Sequence, residues 1–395
     1  MNIEIRSPRP DEADAAYAIC SEAFANGQGR RDDWLATKRM EDFLCAWVGD
    51  QLVATSEAVP VGQHFGGRSV PMGAVASVAV RPDQRGRGVA PRLLTTAVEQ
   101  MHERGLVIST LHPATTRFYR GLGWEVAGEF AARSIPSSAL VALPHGEPEC
   151  MRPATADDHG PVRECYLRVA PGIDGSVDRN ETFWAAWQLD LGKPHHYLYV
   201  YDVGDGIDGY VKYRQVNTPD LWGFSLIVHE LVAATPEAGL TLWRHIGSHA
   251  AQVEEVVVYG SPLDDLTLLL PEQKGRKLLG VNRWMTRLVD VAGAIGARGF
   301  PPGVAARLDV EVVDRLAPWN DDRFVLDVAD GRGVLRRGGS GGVRMTVNAF
   351  ASLYTGWASA FTLAAAGLVH HAGEQELRLL DATFSGPTPY LFDDF

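Results

Sequence analysis

The chain has 395 residues, 46% of them hydrophobic and 22% charged, the composition of a globular protein with room for two or three domains. A formal net charge of −12 argues against duplex nucleic acid as a partner and suits a cationic one. Cys20, Cys45, Cys150 and Cys165 are scattered without metal-ligand spacing, the N-terminus lacks a signal-peptide pattern, and the most apolar late segment, 358–369, is too short to span a bilayer, so a cytoplasmic protein without membrane or nucleic-acid partners is expected.

Ile3 and Ile5 alternate as a strand, and Pro10-Asp11-Glu12 opens a helix predicted to reach Phe24. Phe43–Val48 and Leu52–Val61 read as paired strands about a Gly49-Asp50 turn. The segment Ala74–Val80 is apolar and reads as a strand inside a sheet. From Ala90 to Glu103, Leu93, Leu94, Ala97, Val98 and Met101 fall on one face of a helix. Between strand and helix stands Arg81-Pro82-Asp83-Gln84-Arg85-Gly86-Arg87-Gly88-Val89. Such a turn directs several backbone N–H groups at one spot, at the positive end of a helix, where a pyrophosphate binds. Gly86 and Gly88 let a ligand approach the backbone, and Arg85 and Arg87 add charge. The glycine spacing fits neither a dinucleotide fingerprint nor a P-loop. Leu106–Thr110 is predicted as a strand and His112–Arg120 as a helix closed by Gly121 and Gly123.

The pattern Arg85-x-x-Gly88-x-Ala90 resembles motif A of the GNAT N-acetyltransferases, which bind acetyl-CoA there. Mixed strands with helices after the fourth and fifth match the GNAT order; the pattern alone specifies only an α/β sandwich.

Residues 143–149 read as a linker. After them Met151-Arg152-Pro153-Ala154-Thr155-Ala156-Asp157-Asp158 echoes Ile5-Arg6-Ser7-Pro8-Arg9-Pro10-Asp11-Glu12, a weak repeat at domain scale. Predicted elements follow: a helix over Glu181–Leu189, strands at Tyr197–Tyr201, Gly209–Tyr213 and Trp222–Val232, a helix over Pro236–Ala250 and a strand at Glu254–Tyr259. Where a phosphate turn would stand, this block has Ala233-Ala234-Thr235-Pro236-Glu237, without arginine or glycine. It reads as a GNAT copy unable to hold CoA by this route, or as an unrelated α/β domain that begins alike. From Met285, antiparallel strands at Val304–Val313, Arg323–Val328, Gly333–Arg336 and Val343–Val347 precede helices at Val347–Thr355 and Ser359–Ala366. That order resembles a sterol carrier protein-like domain; a plain core explains it as well as a lipid pocket does.

The whole chain resembles the enhanced intracellular survival (Eis) family. The resemblance rests on Ser77-Val78-Ala79-Val80 with Arg85–Ala90, on Arg117-Phe118-Tyr119-Arg120-Gly121-Leu122-Gly123-Trp124, and on the ending Asp381-Ala382-Thr383-Phe384 to Asp393-Asp394-Phe395. It implies an α/β (α+β) chain of two tandem GNAT-like domains, 1–145 and 150–284, followed by a sterol carrier protein-like domain, 285–395. It implies acetyl-CoA as co-substrate, no metal, amine acceptors including aminoglycosides or polyamines, and a homo-oligomer, the homohexamer.

By the same resemblance Val78, Ala79 and Val80 offer backbone N–H groups to pantetheine and the acetyl oxygen, Arg85, Gly86, Arg87, Gly88, Val89, Ala90 and Pro91 hold the phosphates, and Ala114 and Thr115 touch CoA through their backbone. Tyr119 is the expected general acid, protonated at neutral pH because a phenol has a pKa of about 10. The α-carboxylate of Phe395 is the expected base, weak in water but improved by desolvation. Phe384, Pro387, Pro389, Tyr390, Leu391, Phe392 and Phe395 are too apolar for a free tail and are expected to dock. Asp394, with Asp393, holds further amino groups or is solvated, and Phe24, Asn26 and Trp34 form the acceptor wall. Family members often carry an acidic residue where Asn26 stands, which weakens the expectation for polyamines. His64, His112, His370 and His371 read as surface or core histidines. Two rival functions stay open: a protein lysine acetyltransferase, and a non-enzymatic lipid- or partner-binding protein.

Overall fold

The computed structural model describes residues 3–25, 30–144, 146–217, 223–261, 263–272, 275–391 and 393–395. The expectations placed on Asn26, on residues 27–29, on His145 in the linker, on Trp222 and on Phe392 lie outside the described residues.

The first region runs β1 (Glu4–Arg6), α1 (Ala13–Ala23), α2 (Arg31–Thr37), β2 (Phe43–Val48), β3 (Gln51–Phe65), β4 (Arg68–Val80), α3 (Val89–Glu103), β5 (Ile108–Leu111), α4 (Thr116–Arg120), β6 (Glu125–Pro136) and α5 (Ser137–Val141). The second has β7 (Met151–Pro153), α6 (His159–Val169), β8 (Val177–Asp178), α7 (Glu181–Leu191), β9 (His196–Asp202), β10 (Ile207–Asn217), β11 (Phe224–Ala233), α8 (Pro236–Gly247), β12 (Glu255–Gly260), α9 (Asp265–Leu269) and β13 (Lys277–Leu288). The third contains α10 (Val291–Ala297), β14 (Ala306–Val313), β15 (Asp322–Ala329), β16 (Arg332–Arg337), β17 (Val343–Thr346), α11 (Val347–Tyr354), α12 (Ala360–Ala365), β18 (Val369–His370) and α13 (Glu374–Phe384).

Among the described residues, the strands of the first two regions join in one sheet ordered β1-β2-β3-β4-β5-β13-β6-β12-β11-β10-β9-β7, with β8 on β3. The third region has its own sheet, β16-β15-β14-β17-β18. Strand β13 enters the first region's sheet between β5 and β6, so the expected boundary at Met285 falls inside a strand.

The internal echo has a physical content. Arg6 grips Glu12 through two bonds of 2.7 Å, and Arg152 grips Asp158 in the same way at 2.7 Å. Each carboxylate also caps the turn that opens the next helix, Glu12 on the Arg9 N–H and Asp158 on the Thr155 N–H. The Arg6 guanidinium pulls Glu12 down to about 2.

Two sequence expectations fall short. The hairpin β3–β4 extends well past Val61 and begins before Ala74, turning at Gly66-Gly67. Its far end buries Gln63 and His64, polar residues that broke the apolar pattern because they face the second region: Gln63 Nε2 donates to Gly175 O at 2.9 Å and the His64 N–H donates to Ser176 O at 2.8 Å. The helix predicted over His112–Arg120 is confined to Thr116–Arg120. Pro113 disfavours a helical residue before it, and Thr115 is still extended at φ −151°. Helix α13, amphipathic through Leu377, Leu380 and Phe384, was not anticipated.

Candidate active site

Strands β4 and β5 run parallel and pair only at Met72–Ala74 with Ile108–Thr110. Beyond Ala74, β4 continues to Val80 on its β3 partner, while β5 ends at Leu111 and turns away. The two strands part at their carboxyl ends, the position where open α/β sheets take their ligands. The gap is framed by Val75–Val80 on one side and His112–Thr115 on the other.

A bulge sharpens this strand. Thr55 pairs with Ala79 and Glu57 with Ala76, so Ser77 and Val78 both lie opposite Ser56. Ser77 takes φ +52°, unusual for a residue with a side chain, and is held there from two sides. Thr55 Oγ1 donates to its carbonyl at 2.8 Å, and its own hydroxyl donates to Glu57 Oε2 at 3.0 Å. Glu57 is buried, which raises its pKa, while Lys38 Nζ at 2.6 Å opposes the shift. Sequence reasoning missed Lys38 and Glu57, whose only signal was a glutamate in the middle of a predicted strand.

The Arg/Gly turn sits at the mouth of the gap. Gly86 and Gly88 have φ of +73° and +77°, and Gly88 caps the first turn of α3. The backbone N–H groups of 86–90 make no hydrogen bond among the described residues, and Arg85, Arg87 and Pro91 are exposed. Arg85 Nε rests on Val80 O at 3.2 Å, which ties its side chain to the end of the motif strand. Helix α3 buries Val89, Leu93, Leu94, Ala97, Val98 and Met101, so packing fixes where its free N-terminus points. Unbonded donors, positive φ at two glycines and two exposed guanidinium groups fit the pyrophosphate of CoA.

Tyr119 lies on α4, just past the gap, and burial pushes its phenol up to about 12. The ring packs edge-on against Phe118 and Trp124. Ala114 and Thr115 are exposed at the lip between β5 and α4.

The last residues reach the end of β5 at His112. Tyr390 and Leu391 are buried, the Tyr390 N–H donates to Asp174 O at 2.8 Å, and the ring of Phe395 lies 5.4 Å from His112 and 5.9 Å from Phe183. His112 Nε2 stands 3.2 Å from Asp393 O. The histidine read as a surface or core residue therefore touches the tail. Burial lowers its pKa, and the charge of Asp394 opposes that shift. Asp394 is exposed. Asp393, grouped with it in the sequence, is instead largely covered, its side chain 11% exposed, and pairs with Arg179, whose Nε donates to Oδ1 at 2.8 Å. Arg179 carried no sequence signal.

The acceptor wall is only partly as expected. Phe24 is exposed at the end of α1. Trp34 is 2% exposed and packs edge-on against Phe43 at 5.5 Å, which makes it a core residue that fixes α2 to the sheet. A tryptophan that follows a run of charged residues, Arg30 to Asp33, was expected in the acceptor wall, and only packing shows that it turns inward. Among the described residues, no three His, Cys, Asp or Glu side chains are grouped to hold a metal ion, and no helix is long and apolar enough to cross a membrane.

A splayed parallel strand pair, an arginine–glycine turn at a helix N-terminus and a tyrosine on the following helix together define a GNAT-type acyltransferase. Residues 4–127 and 175–288 each match a family described as Acetyltransferase (GNAT) domain, and residues 291–392 match Sterol carrier protein domain. A crystallised GCN5-related N-acetyltransferase from Kribbella flavida is 31% identical, with all of this chain and 98% of that one covered and a TM-score of 0.85. One from Anabaena variabilis is 29% identical over the full length of both chains, with a TM-score of 0.93. N-acetyltransferase Eis of Mycobacterium tuberculosis is 26% identical, with 98% of each chain covered. The chain belongs to the Eis-like family of GNAT N-acetyltransferases, enzymes that use acetyl-CoA as co-substrate.

Proposed function

We propose that this N-acetyltransferase acetylates amino groups of small polycationic acceptors such as aminoglycosides or polyamines, with the Phe395 carboxylate as general base and Tyr119 as general acid. The observation that carries this reading is the seat of Phe395 on His112, at the end of β5 and beside the helix that bears Tyr119. Acetyl-CoA, when bound, supplies the thioester. The carboxylate removes a proton from the acceptor ammonium, directly or through one water, and the amine then attacks the thioester carbonyl. Backbone N–H groups of Val78–Val80 face the negative charge that develops on the carbonyl oxygen. The C–S bond breaks as Tyr119 gives its proton to the departing sulfur, and the second proton of the attacking nitrogen passes through water to the tyrosinate, which leaves a neutral amide, a free thiol and the phenol restored. A phenol held up to about 12 by burial stays protonated throughout the neutral range.

The acidic ending and the net charge of −12 draw cations toward the mouth. A panel of aminoglycosides, polyamines and lysine peptides, read by thiol release, tests the acceptor class: turnover of lysine peptides alone replaces it with a protein substrate. The three-part division at about 145–150 and 285 belongs to the same proposal, with β13 contributed by the second part to the first.

We also propose a homo-oligomer, a hexamer on the family resemblance. Leu268, Leu278 and Leu279 are 81%, 64% and 55% exposed, and β13 lacks a partner before Met285 on its β5 side among the described residues. Light scattering on Leu278→Glu tests it: dissociation is expected, and a parent that runs as a monomer overturns it. Four unpaired cysteines and the need for acetyl-CoA support a cytoplasmic location.

A further inference from the structure

The second GNAT copy carries a buried charge cluster that the chemistry above does not use. Arg179, whose side chain is 2% exposed, follows β8 and precedes α7. Its Nη1 donates to Glu230 Oε1 at 3.0 Å, and its Nε donates to Asp393 Oδ1 at 2.8 Å. The guanidinium lies over the Tyr166 ring at 4.1 Å and near Trp184 at 5.0 Å. Glu230 is itself fixed, accepting from Trp187 Nε1 at 2.7 Å and from the Tyr210 hydroxyl. Nothing in this arrangement can swing without leaving a buried charge unpaired, so Arg179 is a rigid anchor.

What the anchor holds is the tail. Asp393 is pinned at two atoms by two regions: its carboxylate by Arg179 of the second copy, its carbonyl within reach of His112 of the first. From Asp393 the terminal carboxylate is two residues away, a reach of at most about 7 Å. The same short segment ties the regions together, because Val177 and Asp178 pair with Gln63 and Gly62 of β3 and Asn180 Nδ2 donates to Pro60 O at 3.0 Å.

The geometry points to Arg179 as a positioning residue: the GNAT copy that lacks the phosphate turn holds the terminal carboxylate in the active site of the other copy, through the Arg179–Asp393 pair. The inference rests on the reading of Phe395 as the base. It assigns the second copy a role in catalysis without CoA or acceptor binding of its own. Holding a base in place is worth a large factor, since a displacement of about 1 Å costs on the order of 100-fold in rate.

The test is Asp393→Asn, at a tail position whose loss leaves Glu230 paired, beside Arg179→Lys, which keeps the cation. In Asp393→Asn, kcat is expected to fall about 100-fold while the KM for acetyl-CoA and the melting temperature hold. Arg179→Lys is expected to lie between that variant and the parent. The groups facing Asp393 are Arg179, Glu230, Lys212, Tyr166 and Tyr390 from the second copy and the tail, and His112 and Asp394 at the mouth. The acid limb of the kcat profile is read beside the rate, and a displaced limb in Asp393→Asn marks a change at the base that a purely structural role would not produce. A chain extended by one residue after Phe395 serves as the control. Parental kinetics and pH profile in Asp393→Asn, with the extended chain inactive, overturn the role of Arg179 and leave the carboxylate base standing. Full activity in the extended chain overturns both.

Discussion

In the first GNAT copy, residues 81–88 separate β4 from α3 and carry the arginines and glycines; in the second, only Ala234 and Thr235 separate β11 from α8. The strands before these connections are alike. Each carries one extra residue against its partner, at Ser77 and Val78 opposite Ser56 in β4, and at His229 between the pairs Lys212–Glu230 and Tyr213–Val228 in β11. Each also leaves a parallel neighbour early: β11 pairs with β12 only as far as Val228. The bulge and the splay are therefore properties of the fold, while the proposed CoA site resides in the connection. Helix α3 leaves its first N–H groups unbonded. Helix α8 has Thr235 Oγ1 on the Ala238 N–H at 3.2 Å, a proline in its first turn, and Glu237 where a phosphate would sit. On its strand β11 the second copy carries Glu230, closed on Arg179, which also holds Asp393 of the tail.

The comparison breaks if the two copies do not divide the labour in this way. The largest effect is expected from appending one residue to Phe395, which removes the proposed base and lowers kcat by about 100- to 10,000-fold with CoA affinity intact, as a thiol-release assay beside calorimetry reads. Tyr119→Phe removes the proposed acid and is expected to cost about 100-fold in kcat, with the parental melting temperature. Arg85→Ala removes one charge-assisted contact worth about 1.5–3 kcal/mol, so the dissociation constant for CoA rises about 10- to 150-fold. Glu237→Ala, at the corresponding turn of the second copy, is expected to leave CoA binding at one per chain. A second CoA bound by the parent chain contradicts the comparison outright.

The smallest effect concerns pH. Burial pulls His229 and His245 of the second copy down to about 4. Their folded pKa lies below the unfolded value of about 6.5, so the unfolded chain binds more protons in that window. The stability they contribute is complete above pH 6.5 and is lost as pH falls toward 4. Thermal melts are expected to show this slope, and His245→Phe is expected to flatten part of it. Tyr119 acts at the other end: its raised pKa contributes stability below pH 10 that is lost as pH rises through about 12.

The site was legible wherever it is local. Arg85, Gly86, Arg87 and Gly88 are adjacent, their spacing is the chemistry, and the spacing of Leu93, Leu94, Ala97, Val98 and Met101 fixes the helix behind them. The apolar ending likewise pointed to a docked tail, and the repeated strand, proline turn and acidic helix start pointed to a weak repeat at domain scale. The rest depends on contacts between residues far apart in the chain. Trp34 looked accessible and is core. His112 looked incidental and meets Phe395. Strand β13 crosses from the second region to pair between β5 and β6, which no local pattern encodes.

By itself, then, the sequence determined the proposed donor site, because phosphate binding needs only neighbouring N–H groups, glycines and arginines at the start of one helix. Tertiary structure decided the proposed acceptor end. The ring of Phe395, His112 and the Arg179–Glu230 anchor come from three regions, and their proximity is set by buried charge pairing and sheet insertion, which act through space and leave no spacing to read.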